Sequence, residues 1–324
     1  MHTIGLRPRF LVSADGHGVV SDAGSRLLAD LADATGLTSA FGDVLRRLRP
    51  RGTGHDPGWV AADLAVMLAD GGDAVADLAL LRDQPDMRPV ASTHRLAAAG
   101  RHRCGHALRR APGPTTAREV AWLQAGETHQ GIPAARSGGH DPPGLVLDID
   151  ATLITCHPEK QQAAPTYRGG FGYRPPLRLL GRTGEALAEV LRPGNAGVNT
   201  ATDHIAVLDA AMAQIPDAHR HGTENLVRAD SAGSAKAFLA HLRAMRSRDA
   251  HTSFSVGCHI TEPVRRAIRQ LPDQVRHPAL EQDGTVRNGA EVAELTGLVD
   301  VAGCRGRRSP STAARTSCRG ASLG

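Results

Sequence analysis

The sequence predicts a mixed α/β core preceded by a mostly helical region. Two apolar runs read as buried strands that end in acids, Leu145-Val146-Leu147-Asp148-Ile149-Asp150 and Asn225-Leu226-Val227-Arg228-Ala229-Asp230. Helical spacing of apolar residues dominates residues 21–82. From residue 145 onward strands come first, and helix, strand, helix and strand then follow in turn, the order of a mixed sheet covered by helices. At 324 residues the chain is long enough for two domains, each with its own core.

Taken in order, Ser21 or Asp22 caps a helix carrying Leu27, Leu28 and Leu31, which Gly36 ends. Phe41, Val44, Leu45 and Leu48 share a face of the next helix. The basic run Arg46-Arg47-Leu48-Arg49-Pro50-Arg51-Gly52 leads into a turn. A third helix follows Pro57 with Trp59, Leu64, Met67 and Leu68, and Gly71-Gly72 breaks it. Asp73 caps a fourth with Val75, Leu78 and Leu81, and residues 116–126 form another around Trp122. Short helices with basic connections fit a helix-turn-helix-like DNA-binding unit, and equally a plain bundle with solvated arginines. The group His102-Arg103-Cys104-Gly105-His106 lacks a second ligand pair at zinc-site spacing and reads as a basic loop. Residues 128–144, rich in Gly, Pro, Ser and His, read as a linker.

Beyond the first strand, residues 167–173 read as a strand or hairpin and residues 186–191 as a third strand. Residues 199–215 form a helix with Ile205, Leu208 and Met212 on one stripe. Another helix spans residues 233–245 with Phe238, Leu239, Leu242 and Met245. Phe254-Ser255-Val256-Gly257 is a short strand, and Val264, Ile268 and Leu271 mark a last helix. Domain boundaries follow: a helical region over 1–127 that is a candidate for DNA binding, the linker over 128–144, a mixed α/β unit over 145–301, and a tail over 302–324.

Composition narrows the function classes. Aromatic residues make up only 3% of the chain, so the core must be built from Leu, Val, Ala and Ile. Net charge is +5 with two lysines, Lys160 and Lys236, so arginine supplies nearly all of the 38 basic residues. The guanidinium fork suits phosphate oxygens, and a basic balance is compatible with nucleic acid. Five scattered cysteines without a CxxC pair fit a reducing compartment, hence a cytoplasmic protein. The start lacks a sustained apolar segment, and no run of about 18 apolar residues exists for a membrane span.

Along a strand, Asp148 and Asp150 point the same way. Carboxylates at a buried strand end need a partner or a cation to offset desolvation, so the pair is a candidate for Mg²⁺ ligation or catalysis. A strand-end Asp that merely caps the next turn is the simpler alternative. The segment Asp148-Ile149-Asp150-Ala151-Thr152-Leu153 resembles the first motif of the haloacid dehalogenase superfamily. That resemblance implies a Mg²⁺-dependent phosphatase in which Asp148 attacks and Asp150 protonates, with Asp230 in a later metal-binding motif.

A second resemblance covers far more of the chain. Its carriers include Leu48-Arg49-Pro50-Arg51-Gly52-Thr53-Gly54-His55-Asp56-Pro57-Gly58 and Met67-Leu68-Ala69-Asp70-Gly71-Gly72. In the core they are the Asp148–Leu153 run, Ala164-Pro165-Thr166-Tyr167, Gly169-Gly170-Phe171-Gly172-Tyr173, Leu191-Arg192-Pro193-Gly194-Asn195-Ala196-Gly197 and Val227-Arg228-Ala229-Asp230-Ser231-Ala232-Gly233. Together, from about residue 45 to about residue 300, these segments resemble the DDE transposases of bacterial insertion sequences, in an actinobacterial-looking branch. The resemblance implies an RNase H-like core whose acids hold two divalent cations, Mg²⁺ or Mn²⁺, for in-line displacement at phosphorus. It makes Asp150 the first acid and Asp230 the second, as catalytic residues and metal ligands, with Asp148 a neighbour on the same face. It makes Arg46, Arg47, Arg49, Arg51, Arg192 and Arg228 phosphate contacts. The implied partners are double-stranded DNA, as element ends and as target, and a second copy of the chain in a synaptic complex at the nucleoid.

The family's third acid, a Glu on a helix beyond a β-rich insertion, has no counterpart that fits. Glu281, Glu291 and Glu294 fall where the insertion should begin. After Val301 the chain turns rich in Arg, Ser, Ala and Gly without apolar periodicity, a composition of disorder and of a reading frame translated out of register. The expectation is a C-terminally truncated transposase with little or no activity, and a non-catalytic DNA-binding regulator of transposition is a further alternative.

Overall fold

The computed structural model describes residues 23–46, 56–72, 75–82, 113–129, 140, 142, 144–181, 183–197, 201–221, 224–246, 252–281, 283–295 and 297–298. The chain divides into two compact units, residues 1–131 and 132–324.

The first unit is helical: α1 (Ala23–Ala34), α2 (Leu37–Leu45), α3 (Pro57–Ala69), a 3₁₀ turn at Val75–Asp77, α4 (Leu78–Arg82) and α5 (Gly113–His129). Asp56 starts α3 by accepting a 2.8 Å bond from the Gly58 amide, with Pro57 in the first turn. Ala29, Val66, Met67, Leu78 and Leu81 form a core against which Leu64 packs. One expectation is overturned at α1, where Leu27 and Leu31 are 71% and 53% exposed. The buried face is Ser25, Arg26, Ala29 and Ala32. These follow the same helical spacing with mostly smaller side chains, and α1 packs through them while Arg26 pairs with Asp30 at 2.8 Å.

The second unit is built on a five-stranded mixed sheet. Its strands are β1 (Val146–Ala151), β5 (Pro176–Leu180), β6 (Ala186–Glu189), β7 (Asn225–Ala229) and β8 (Thr252–Val256), in the order β6-β5-β1-β7-β8. β1, β7 and β8 are mutually parallel, while β5 runs antiparallel to both β1 and β6. Two helices cover it, α6 (Ala201–Gln214) and α8 (Lys236–Arg246), with the short α7 (Asp217–Arg220) between them. α6 buries His204, Val207, Leu208, Ala211 and Met212, a stripe at helical spacing. Phe238 and Leu242 of α8 are fully buried with Leu147 and Val227 of the sheet, and the Phe238 ring lies 5.4 Å from that of His204. Apart from Phe238 and His204 the residues named here are aliphatic, as the composition requires.

A small three-stranded sheet leaves the end of β1: β2 (Ile154–Cys156), β3 (Ala164–Pro165) and β4 (Phe171–Tyr173), in the order β2-β4-β3. Beyond β8 come α9 (Glu262–Arg269) and an antiparallel hairpin of β9 (His277–Leu280) and β10 (Val286–Val292). The sequence reading contained neither β5 nor this hairpin. Pro175-Pro176 resembles a loop, yet Pro176 opens β5, a position where a strand tolerates proline. The hairpin is largely exposed and carries no alternation of apolar and polar residues.

Candidate catalytic centre

The parallel pairing of β1 and β7 sets the geometry. Asp148 lies opposite Arg228 and Ile149 opposite Ala229. Asp150 is the next residue of β1 and Asp230 directly follows β7, so the two acids come at the carboxyl ends of neighbouring parallel strands. Each acid is held locally and left open to a ligand. Asp150 Oδ1 accepts a 2.7 Å bond from the Ala151 amide. Asp230 Oδ1 caps the 3₁₀ turn Ser231–Ser234 through a 2.9 Å bond from the Ala232 amide. Among the described residues, the second oxygen of each carboxylate makes no hydrogen bond. Both residues are exposed, so a solvent-facing strand end, rather than the buried one expected, is what marks the pair.

Asp148 is differently placed. Its two oxygens accept from Arg228 Nε at 2.6 Å and Nη2 at 2.7 Å. This is the planar fork of a bidentate pair, set by cross-strand neighbours. Donating these hydrogen bonds to Asp148 raises the pKa of the Arg228 guanidinium above its ordinary value despite the opposing effect of burial. A carboxylate with both oxygens engaged is a poor nucleophile, which weighs against attack by Asp148.

The expected phosphate arginines separate into three groups. Arg46 is exposed at the end of α2, beside Asp43. Arg47, Arg49 and Arg51 lie outside the described residues, as does the His102–His106 group. Arg192 and Arg228 are engaged by carboxylates within the fold, Arg192 buried and Arg228 half-buried. Arg192 is only 5% exposed and donates to Asp203 Oδ2 at 2.9 Å and to the carbonyls of Gly197 and Arg174. The Arg192 guanidinium ties the 191–197 segment to the first turn of α6 and is buried, an arrangement that favours a structural role over the expected phosphate contact. Arg228 would have to leave Asp148 to reach a phosphate.

Segments that are individually weak in sequence meet in space. Tyr173 bridges to Pro193, and the Arg174 amide donates to the Arg192 carbonyl at 2.9 Å. A Cβ on Gly172 would stand 2.1 Å from the Ile154 carbonyl oxygen, and one on Gly194 would stand 2.6 Å from that of Ala164. The Thr-Tyr, Gly-Gly-Phe-Gly-Tyr and Arg-Pro-Gly-Asn runs are thus one close-packed layer beside the end of β1. That layer also holds exposed Tyr167, with Arg168 and Arg174 over its ring, three residues to which the sequence assigned no role in a site.

The profile of the family described as Transposase DDE domain group 1 matches residues 3–296. The chain belongs to that family. No curated protein matches it. The match takes in the helical unit as well as the sheet, extending the resemblance well before residue 45. The mixed sheet is therefore the RNase H-like core of a DDE transposase domain, and transposases of this kind act with divalent metals. Two carboxylates with free oxygens suit a hard cation, since Mg²⁺ is commonly held by one or two carboxylates, with waters and substrate phosphates completing the shell. Among the described residues, no group of three or more His, Cys, Asp or Glu is placed to hold a metal. Glu281 and Glu291 instead lie near Arg287 at 3.5 Å and Arg276 at 3.6 Å in and around the β9–β10 hairpin. No helix among the described residues is long and apolar enough to cross a membrane.

Proposed function

We propose that this chain binds the ends of an insertion sequence through double-stranded DNA and that Asp150 and Asp230 are its catalytic acids and the ligands of Mg²⁺ or Mn²⁺. The observation that supports this reading is the juxtaposition of two open carboxylates at neighbouring parallel strand ends in a DDE transposase domain. A bound cation would polarise a phosphate oxygen and favour the hydroxide or alkoxide form of the attacking group. Asp150 and Asp230 would contribute the charge and the fixed oxygens, and the main-chain bonds at Ala151 and Ala232 hold those oxygens in place. Arg228 neutralises Asp148 and so keeps a third negative charge from competing for the cation. Arg46 and the arginines that follow it would contact DNA phosphates, and two copies of the chain would hold a pair of element ends in a nucleoid-associated complex.

Calorimetric titration with Mn²⁺ tests the centre. Asp150→Asn and Asp230→Asn are each expected to weaken Mn²⁺ binding on the order of tenfold, because each removes one of two charged donors. Wild-type affinity in both variants would remove these residues from the site. Activity is a separate matter. Two acids hold one cation well but leave a pair under-coordinated, so strand transfer into supercoiled DNA with Mn²⁺ is expected at or near background. Robust transfer that Asp230→Ala abolishes would overturn this expectation. Salt-dependent DNA binding without transfer would fit a chain that acts by occupying element ends.

A further inference from the structure

We propose that Tyr167, Arg168 and Arg174 form a phosphate clamp for the DNA strand that enters the Asp150/Asp230 centre. The inference rests on the DNA-transposase reading above and assigns it a contact surface. Tyr167 is 65% exposed on the turn between β3 and β4. The Arg168 guanidinium lies 5.6 Å and that of Arg174 5.2 Å from the centre of its ring. One aromatic face system thus gathers two cations that would otherwise repel. Neither guanidinium has an acidic partner among the described residues. Elsewhere in the unit, Arg192, Arg220, Arg228, Arg276 and Arg287 lie beside carboxylates. Two neighbouring positive charges on a solvent-facing aromatic platform are complementary to consecutive phosphates.

The platform is held by its own turn and by the strands on either side. The turn is closed by a 3.0 Å bond from the Thr166 amide to the Gly170 carbonyl and a 2.8 Å bond from the Thr166 hydroxyl to the Gly169 carbonyl. Gly169 and Gly170 have φ of 82° and 76°, left-handed values that favour glycine and fix the tip. The small sheet follows β1, which ends at Ala151, and the chain rejoins the main sheet at Pro176, which pairs with Ala151. The clamp therefore stands on a layer anchored at both ends beside the first acid.

The test is equilibrium binding of the full chain to a labelled DNA duplex across a series of salt concentrations. Replacing both arginines by glutamine (R168Q with R174Q) is expected to lower affinity roughly tenfold near physiological salt and to reduce the slope of log affinity against log salt by about 2. R168Q alone, at an exposed position, is expected to reduce the slope by about 1. Tyr167→Phe keeps the ring and is expected to bind as wild type, whereas Tyr167→Ala releases the arginines and weakens binding without changing net charge. Arg265→Gln with Arg269→Gln, removing two arginines near Glu262, is the charge-matched control and is expected to change the slope by less than half as much. Salt-dependent binding by the wild type with an unchanged slope in both clamp variants overturns the clamp and leaves the DNA reading standing. Absence of duplex binding by the wild type at low salt overturns both.

Discussion

Arg192→Ala is expected to destabilise the second unit by about 3 kcal/mol. The side chain is only 6% exposed, and its Asp203 partner 29%. Truncation would leave that carboxylate without its 2.9 Å donor and two carbonyls, Arg174 and Gly197, without theirs. Removing one partner of a buried pair typically costs 3–5 kcal/mol, and the partial exposure of Asp203 sets the lower end here. Arg192→Lys is expected to recover only part of the loss, because a single ammonium cannot reproduce the fork that reaches all three acceptors. Urea unfolding followed by circular dichroism measures both. An Arg192→Ala protein with an unchanged midpoint and weakened DNA binding would restore the phosphate-contact reading.

The second large effect is expected at Gly257, which follows β8. Its amide donates to the Ala229 carbonyl at 2.9 Å, beside the turn that carries Asp230. A Cβ there would stand 2.9 Å from the Ser231 nitrogen and 3.0 Å from the Asp230 carbonyl carbon. Both are backbone atoms, so the turn itself must yield. Gly257→Val is expected to cost about 2 kcal/mol through overpacking. It is also expected to weaken Mn²⁺ binding at least as much as Asp230→Asn, although no carboxylate is removed. Comparing the Mn²⁺ isotherm and the unfolding midpoint of the two variants separates the effects. Wild-type Mn²⁺ affinity in Gly257→Val would show that the Asp230 turn need not be held where it is.

These variants mark where sequence reading succeeds and where it stops. β1, β7, α6 and α8 were legible because their apolar spacing is strong and their burial follows it. Asp150 and Asp230 were visible as acids closing apolar runs, but their adjacency is a property of the parallel register. The roles of Asp148 and Arg228 were beyond reach for the same reason, since only pairing between strands makes them partners. The burial of Arg192 was not legible because arginine is usually exposed, and nothing local announces a buried acceptor set. At α1 the leucines marked the helix by their spacing, but packing leaves Leu27 and Leu31 outside and buries the face of Ser25, Arg26, Ala29 and Ala32. β5 was hidden by its opening prolines, and the glycines at 172, 194 and 257 showed only as loop-like composition until their neighbours were in view.

The 80-residue separation between Asp148 and Arg228 has a consequence for how this centre comes into being. β1 and β7 can pair only after the intervening chain has closed a long loop, a step disfavoured by entropy and slow by topology. Until that closure, Asp150 and Asp230 are two isolated carboxylates with no shared ligand. A divalent cation that bridges them would act as a molecular rivet on the least local contact of the sheet. Ligation and the last stage of folding would then be one thermodynamic event, with the ion favouring the closed sheet by mass action.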